Sequence, residues 1–354
     1  MVSPLTSPEY RVDGPDEYRP FDAAALECDL RALWKREAQS AGAVYRAALS
    51  NLVVAIEPGT EEAIAPILVD VTRQHPSRLF SITGGSAGED SLRARVGALC
   101  HAREGGGGLV CCEHVMLRAG ERSSGLVPSA VRSLLIGDLP TVLLDLTQDC
   151  GTPWVNELLE SSDVVLEDTR LRASREDIVT CWSRLERQGS IRVHDLAWAR
   201  LNPWREIVAE IFDRPEHLPS LGSLDRVEIE YAGGSFPPSS AWLLIGWLAT
   251  RLRWKPEIRS ALKRGRPLDP GRIERVRLQA RAPHPLDVEI HHPPLSPTAE
   301  LIVRNPRASR TEVAFAYREF ASCITAEIHR HEPNRSLEAA ARMAQELMKS
   351  WYGA

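Results

Sequence analysis

The strongest enzyme-like signal in the chain is Gly84-Gly85-Ser86-Ala87-Gly88, which fits a G-x-S-x-G nucleophile elbow and follows a stretch of strand character. Ser86 would then be the nucleophile, activated by a later acid and histidine such as Asp145 and His194. A helix beginning near Asp90 would complete the strand–turn–helix context. Five small residues in a row describe an ordinary flexible loop equally well, and another glycine run recurs at Gly105 to Gly108. The loop reading is preferred, and a serine hydrolase is kept as the alternative. The same glycines are not G-x-G-x-x-G, and no Gly-Lys-Ser/Thr follows them, so a phosphate loop is not expected.

Cys100, His101, Cys111, Cys112 and His114 offer the sulfur and nitrogen ligands that zinc prefers. Alternation along a strand places Cys111 on the face opposite Cys112 and His114. Cys100 and His101 would have to reach across a hairpin, and these residues read better as strand positions than as ligands. His291-His292, His329 and His331 lack companion ligands and read as surface histidines. No two carboxylates stand out as general acid and base. No catalytic, cofactor-binding or metal-binding residue is assigned, and a protein without catalytic activity of its own is expected.

What does stand out is His194 to Asp213, HDLAWARLNPWREIVAEIFD. Asn202 suits an N-cap, and Pro203 the first helical position. Trp204, Ile207, Val208, Ile211 and Phe212 line one face of the helix that follows. Trp204 is therefore a core residue. Trp198, Arg200 and Arg205 fall off that stripe, and Trp and Arg are the side chains most enriched at interface hot spots. They are the expected contact residues.

These segments need a framework. The chain has 354 residues, 43% hydrophobic and 26% charged, which is more than one core usually holds, so two domains are expected. The net charge of -5 gives no basic excess for phosphate contacts, and nucleic acid is not an expected partner. Residues 1–20 read as a disordered leader without the apolar core of a signal peptide. The most apolar run, Ala241 to Ala249, is too short to span a bilayer. A cytoplasmic protein follows as the expectation. Seven cysteines, an odd number with no CxxC pair, argue against a disulfide framework.

Residues 21–189 alternate strands and helices: a helix over Asp22 to Ser40, strands at Leu49 to Ile56, Ser77 to Thr83, Leu109 to Arg118, Thr141 to Leu146 and Asp163 to Glu167, and helices between. Ser174 to Gln188 is expected to be a helix bridging the halves. Residues 190–354 combine helices at Asn202 to Phe212, Ser239 to Arg253 and Ser336 to Trp351 with alternating antiparallel strands. These strands are expected at Arg226 to Tyr231, Arg272 to Ala280, Leu286 to His291, Ala299 to Arg304 and Thr311 to Tyr317. The fold class is α/β: two α/β domains, the first of alternating βα units, the second a more antiparallel sheet packed by helices. Leu117 to Leu139 and Ile229 to Leu248 share a strand end, a turn and Leu-Leu-Ile-Gly, which suggests a duplicated unit.

Asp195-Leu196-x-Trp198-x-Arg200-Leu201-x-Pro203-Trp204-Arg205-Glu206 resembles a run in the C-terminal half of the glucose-6-phosphate dehydrogenase assembly proteins (OpcA), with Ala197 and Asn202 in place of the more usual Asn and Thr. HPSR (His75 to Arg78), CCE (Cys111 to Glu113) and DLP (Asp138 to Pro140) resemble that family's first half in order and spacing. The resemblance adds Asp195, His75 and Arg78 to the expected interface, while Pro203 at the helix start and Trp204 on its apolar stripe are expected to be structural. It implies a protein that binds glucose-6-phosphate dehydrogenase, promotes its active oligomer and raises its activity, with NADP and glucose 6-phosphate held by the partner.

Overall fold

The computed structural model describes residues 17–40, 44–85, 91–102, 108–185, 191–232, 237–252, 262–264, 272–294, 296–316 and 319–352. Ser86, Asp90, Tyr317 and the leader up to residue 16 lie outside the described residues.

In chain order the elements are β1 (Arg19–Pro20), α1 (Ala23–Ser40), β2 (Val44–Arg46), β3 (Ser50–Ile56), α2 (Glu61–Gln74), β4 (Ser77–Thr83), β5 (Arg93–Ala102), β6 (Leu109–Arg118), α3 (Val127–Leu134), β7 (Thr141–Leu146), α4 (Pro153–Glu160) and β8 (Val164–Glu167). There follow α5 (Arg175–Leu185), β9 (Arg192–Asp195), α6 (Leu196–Ala199), α7 (Asn202–Asp213), β10 (Leu224–Tyr231), α8 (Ser239–Leu252), β11 (Leu262–Arg264), β12 (Ile273–Ala280), β13 (Leu286–His291), β14 (Thr298–Asn305), β15 (Arg307–Ala314), α9 (Phe320–Ile328) and α10 (Arg335–Tyr352).

The first unit comprises residues up to Ala173 with Gln188–His194 and Phe320–His331. Its sheet runs β1-β5-β6-β4-β3-β7-β8-β9, with β2 also paired to β6. The strands β6, β4, β3, β7 and β8 are parallel, and β3 and β7 are buried at every position, as strands covered on both faces must be. The strand β5 corrects the expectation of a helix from Asp90. Its inward residues include Ala94, Ala98 and Cys100, too small to give a strong apolar alternation.

The second unit comprises Ser174–Arg187, Asp195–Glu319 and Glu332–Ala354. Its six-stranded sheet, β11-β10-β12-β13-β14-β15, is antiparallel apart from the parallel β10–β11 pair. Val227, Ile229, Val276, Leu278, Val288, Ile290 and Leu301 point to the core, and charged residues fill the opposite face.

The chain therefore does not divide at one point between 189 and 190. Ile178 and Trp182 of α5 pack in the second unit's core, so Ser174 to Leu185 belongs to that unit rather than bridging the halves. The helix α9, for which no element was expected, packs against α2 in the first unit.

The two Leu-Leu-Ile-Gly stretches are not equivalent. Leu134 ends α3, leaving Gly137 in a turn with open space around it. Gly246 sits in mid-α8, where a Cβ would lie 2.3 Å from the Ala340 carbonyl oxygen of α10. The likeness is one of residue types, not of packing.

Candidate functional site

The second unit resumes at Asp195, the last residue of β9, which caps the short helix α6. One carboxylate oxygen accepts the Ala197 N–H at 2.9 Å and the other the Trp182 Nε1–H at 3.0 Å. An uncapped first turn leaves backbone donors unpaired, so Asp195 fixes where this turn begins. That turn rotates Trp198 inward, where it is 2% exposed. Its expected place at a contact surface came from projecting it onto the helix of α7, whereas α6 is a separate element with its own orientation.

Arg205 of α7 spreads its guanidinium 3.6 Å over the Trp198 ring and donates to Asn202 Oδ1. A cation over an indole face gains both electrostatics and contact area. Asn202 is the first residue of the helix and Leu201 stands at its cap, so Asn202 serves Arg205 and not the N-cap expected for it. Pro203 falls in the first turn, as expected. Trp204 is buried edge-on to Phe315 (centroids 5.3 Å apart) and to His292. His292 was expected at the surface. It is buried, stacks on Phe315 at 3.8 Å and donates from Nε2 to the Ser296 carbonyl at 2.9 Å, and burial lowers its pKa. Arg200 and Arg205 keep partial exposure.

In the first unit, two of the three short motifs converge. Arg78 of HPSR donates from Nε to Glu113 of CCE at 2.6 Å, and from a terminal nitrogen to Glu27 at 3.0 Å and to the Leu134 carbonyl. Glu113 also accepts from Trp34 Nε1 at 2.7 Å and pairs with Arg46 at 2.9 Å. The parallel register of β4 and β6, Leu79 opposite His114, is what brings these residues together. The strand preceded by DLP lies beside β3, and Asn51 of β3 binds both the Ile136 and Leu139 carbonyls. His75, at the C-cap of α2, hydrogen-bonds Ser50 Oγ and His329 Nε2, each at 3.0 Å. Burial and the neighbouring His329 charge lower its pKa to about 4. His75 and Arg78 are therefore interior residues, not surface contacts.

Of the enzyme-like signals, Ser86 lies outside the described residues, and the others can be placed. Gly84 is required because Trp154 lies where its Cβ would stand, 2.7 Å from Nε1, and Gly85 has φ +74°. Gly84 and Gly85 thus serve the end of β4. Asp145 pairs with the buried Arg172 at 2.8 Å and accepts from Thr147 Oγ1 at 2.7 Å. His194 lies 3.3 Å from Glu327. Burial tends to raise the Glu327 pKa, but His194 and Arg330 outweigh it and lower the value.

Cys100 and Cys111 face each other across β5 and β6 and form a disulfide, correcting the expectation of none. An unanticipated β5 left that pairing invisible. His101 hydrogen-bonds Thr72 and His114 bonds Ser81. Burial, with Arg95 nearby, lowers the His114 pKa to about 3. Burial and the Glu113 charge raise that of the Cys112 thiol to about 11 against a hydrogen bond from the Ser77 backbone.

The fold is that of a two-unit α/β protein in which the motif residues form part of the buried framework. Residues 69–181 match the family model described as the glucose-6-phosphate dehydrogenase subunit N-terminal domain, and residues 191–341 the model described as its C-terminal domain. The chain belongs to the glucose-6-phosphate dehydrogenase assembly protein family, OpcA.

A protein named as OxPP cycle protein OpcA from Nostoc punctiforme is 31% identical over 214 residues, covering 56% of this chain and 44% of the relative. Its namesake from Synechocystis is 25% identical over 236 residues, covering 66% and 48%. The chain thus spans about half the length of the curated relatives it matches. Scyllo-inositol dehydrogenase from Lactobacillus casei superposes over 85% of this chain and 96% of its own at 7% identity, with a TM-score of 0.38, too distant to bear on function. No helix among the described residues is long and apolar enough to cross a membrane.

Proposed function

We propose that this chain is a non-catalytic cytoplasmic assembly factor that binds glucose-6-phosphate dehydrogenase, favours its active oligomer and so raises oxidative pentose phosphate flux. The observation that carries this reading is the match of both halves to the dehydrogenase-subunit domain models. The geometry supports it, because Asp145, His194, Cys112 and His114 are held in internal pairs or buried with their charged forms disfavoured. Activation then comes from differential binding: the factor holds the active dehydrogenase more tightly than the inactive form, and the equilibrium follows. Moving a population from about 1:99 to 99:1 requires roughly 10⁴-fold preference. Arg200 and Arg205, partly exposed on the corner between α6 and α7, are the proposed contact residues.

The test is a steady-state assay of the cognate dehydrogenase across glucose 6-phosphate concentrations, with and without this protein. A rate or substrate affinity that rises and saturates with added protein, together with co-elution, is the expected result. No kinetic effect and no co-elution would overturn the reading.

A further inference from the structure

The second unit's sheet ends in two unlike edges. At one, β11 is only three residues long (Leu262–Arg264). At the other, β15 runs for eight residues (Arg307–Ala314), almost all exposed, and pairs with β14 from Thr298↔Ala314 to Asn305↔Arg307 without a bulge. Proteins usually blunt such an edge with a proline, a bulge or a covering element. The strand β15 has neither proline nor bulge, and among the described residues no further strand pairs with it.

Its backbone parity is defined. Phe315 N–H donates to the Pro297 carbonyl at 2.8 Å, continuing the ladder by one step. Alternate residues 313, 311, 309 and 307 therefore turn their N–H and C=O groups toward β14. Ala308, Arg310, Glu312 and Ala314 turn theirs outward.

We propose that β15 is a self-pairing edge through which two copies of this chain join their sheets about a two-fold axis at Thr311. Only some registers let outward groups meet outward groups, and the charges choose among these. Centring the axis on Arg310 would set Arg310 against its own copy, and centring it on Glu312 would oppose two carboxylates. Centred on Thr311, Arg310 faces Glu312 of the second copy twice, Ala308 faces Ala314 twice, and Thr311 meets Thr311. Opposite charges and Thr–Thr pairs are favourable cross-strand neighbours, and like charges directly opposed are not.

The existing ladder adds a reason. Within one chain Glu312 stands directly opposite Glu300, and Arg310 pairs with Glu300. Among the described residues no cation lies within ion-pair distance of Glu312, and the second copy's Arg310 would supply one. About eight backbone hydrogen bonds would form, two from each hydrogen-bonded residue pair. The self-complementary charge pattern admits a second copy while disfavouring arbitrary strands, which is how a long exposed edge can persist without indiscriminate aggregation.

The test uses the full chain alone, so its outcome is separate from dehydrogenase binding. Sedimentation velocity over a concentration series should show a reversible dimer. Arg310→Glu should raise its dissociation constant by about tenfold or more, and the double exchange Arg310→Glu with Glu312→Arg should restore it, because opposite charges again face each other. Ala308→Pro removes an outward N–H without touching the β14 ladder, so it should yield a folded monomer with an unchanged circular dichroism spectrum. A chain that stays monomeric at all concentrations, or a dimer indifferent to both Arg310→Glu and Ala308→Pro, would overturn the proposal. So would a monomer whose Ala308→Pro variant loses only dehydrogenase binding, since the edge would then belong to a strand of that partner.

Discussion

Gly246→Ala offers a decisive stability test, because two well-understood effects predict opposite signs. In an exposed helix, replacing glycine by alanine gains about 1 kcal/mol from reduced chain entropy. At Gly246 the added Cβ would lie 2.3 Å from the Ala340 carbonyl oxygen and 3.0 Å from the Ala344 nitrogen, both backbone atoms of α10. Backbone cannot rotate aside, so α8 and α10 must part by about 1 Å to restore ordinary contact, enough to forfeit a substantial part of each dispersion well along the seam.

That seam includes Leu337, Ala340, Ala341, Ala344, Leu347 and Met348 on α10, with Trp351 edge-on to Trp242 of α8. Overpacking of this kind costs about 1–3 kcal/mol, and an immovable obstacle belongs at the upper end. The net expectation is a loss of about 2 kcal/mol for Gly246→Ala, and more for Gly246→Val. Gly137→Ala, which meets open space, should stay within about 0.5 kcal/mol of the parent. Urea unfolding, read by hydrogen exchange in peptides from α8 and α10, measures this locally. A Gly246→Ala protein as stable as the parent or more so would refute the close-approach argument.

Glu113→Gln should cost about 3 kcal/mol by leaving the buried Arg78 guanidinium with Glu27 as its only carboxylate, while an Arg78→Met, Glu113→Met double variant should recover much of that in a denaturation cycle. Trp204→Ala should destabilise the second unit by about 3–5 kcal/mol, and unchanged melting would contradict its core placement. His75 binds its proton in the unfolded chain near pH 6.5 but in the folded chain only near pH 4. Its contribution is therefore fully present above pH 6.5 and is lost progressively as the pH falls toward 4, by roughly 3 kcal/mol at most. Unfolding at stepped pH should show a shallower loss in His75→Asn. Arg200→Glu should weaken dehydrogenase binding with little change in melting, by about 1 kcal/mol if the side chain sits at an interface rim. Normal binding in a pull-down titration would move the contact elsewhere.

Elements whose burial follows from their own periodicity were legible in the sequence. Trp204, Ile207, Val208, Ile211 and Phe212 mark the buried stripe of α7, and the apolar run from Leu52 to Ile56 marks a strand covered on both faces. What the sequence hid depends on distant partners. The strand β5 carries small inward residues, so its strength as a strand comes from β6 and not from its own alternation. The helix α9 does show Phe320, Ile324 and Ile328 at helical spacing, a signal that could have found it. The strand β15 was expected to start at Thr311 because Arg307 to Arg310 lack any apolar period, as an edge exposed on both faces must.

The site residues illustrate the same division. Arg78 and Glu113 lie 35 positions apart, and only the register of two parallel strands reveals that HPSR and CCE form one ion-paired cluster. Trp198 and Asp195 likewise read as contact residues until the α6 turn places one in the core and makes the other its cap. A framework held this way is costly to perturb, because each buried charge depends on a partner that no water can replace. Recognition is different: an assembly factor acts only through the difference in its affinity for two forms of its partner. Such a difference is built from several surface contacts of modest individual worth. Within the second unit the proposed contact residues Arg200 and Arg205 are partly exposed, and Arg205 is stacked on the buried Trp198 ring. Loosening Trp198 should then weaken partner binding through Arg205, even though Trp198 itself never reaches the surface.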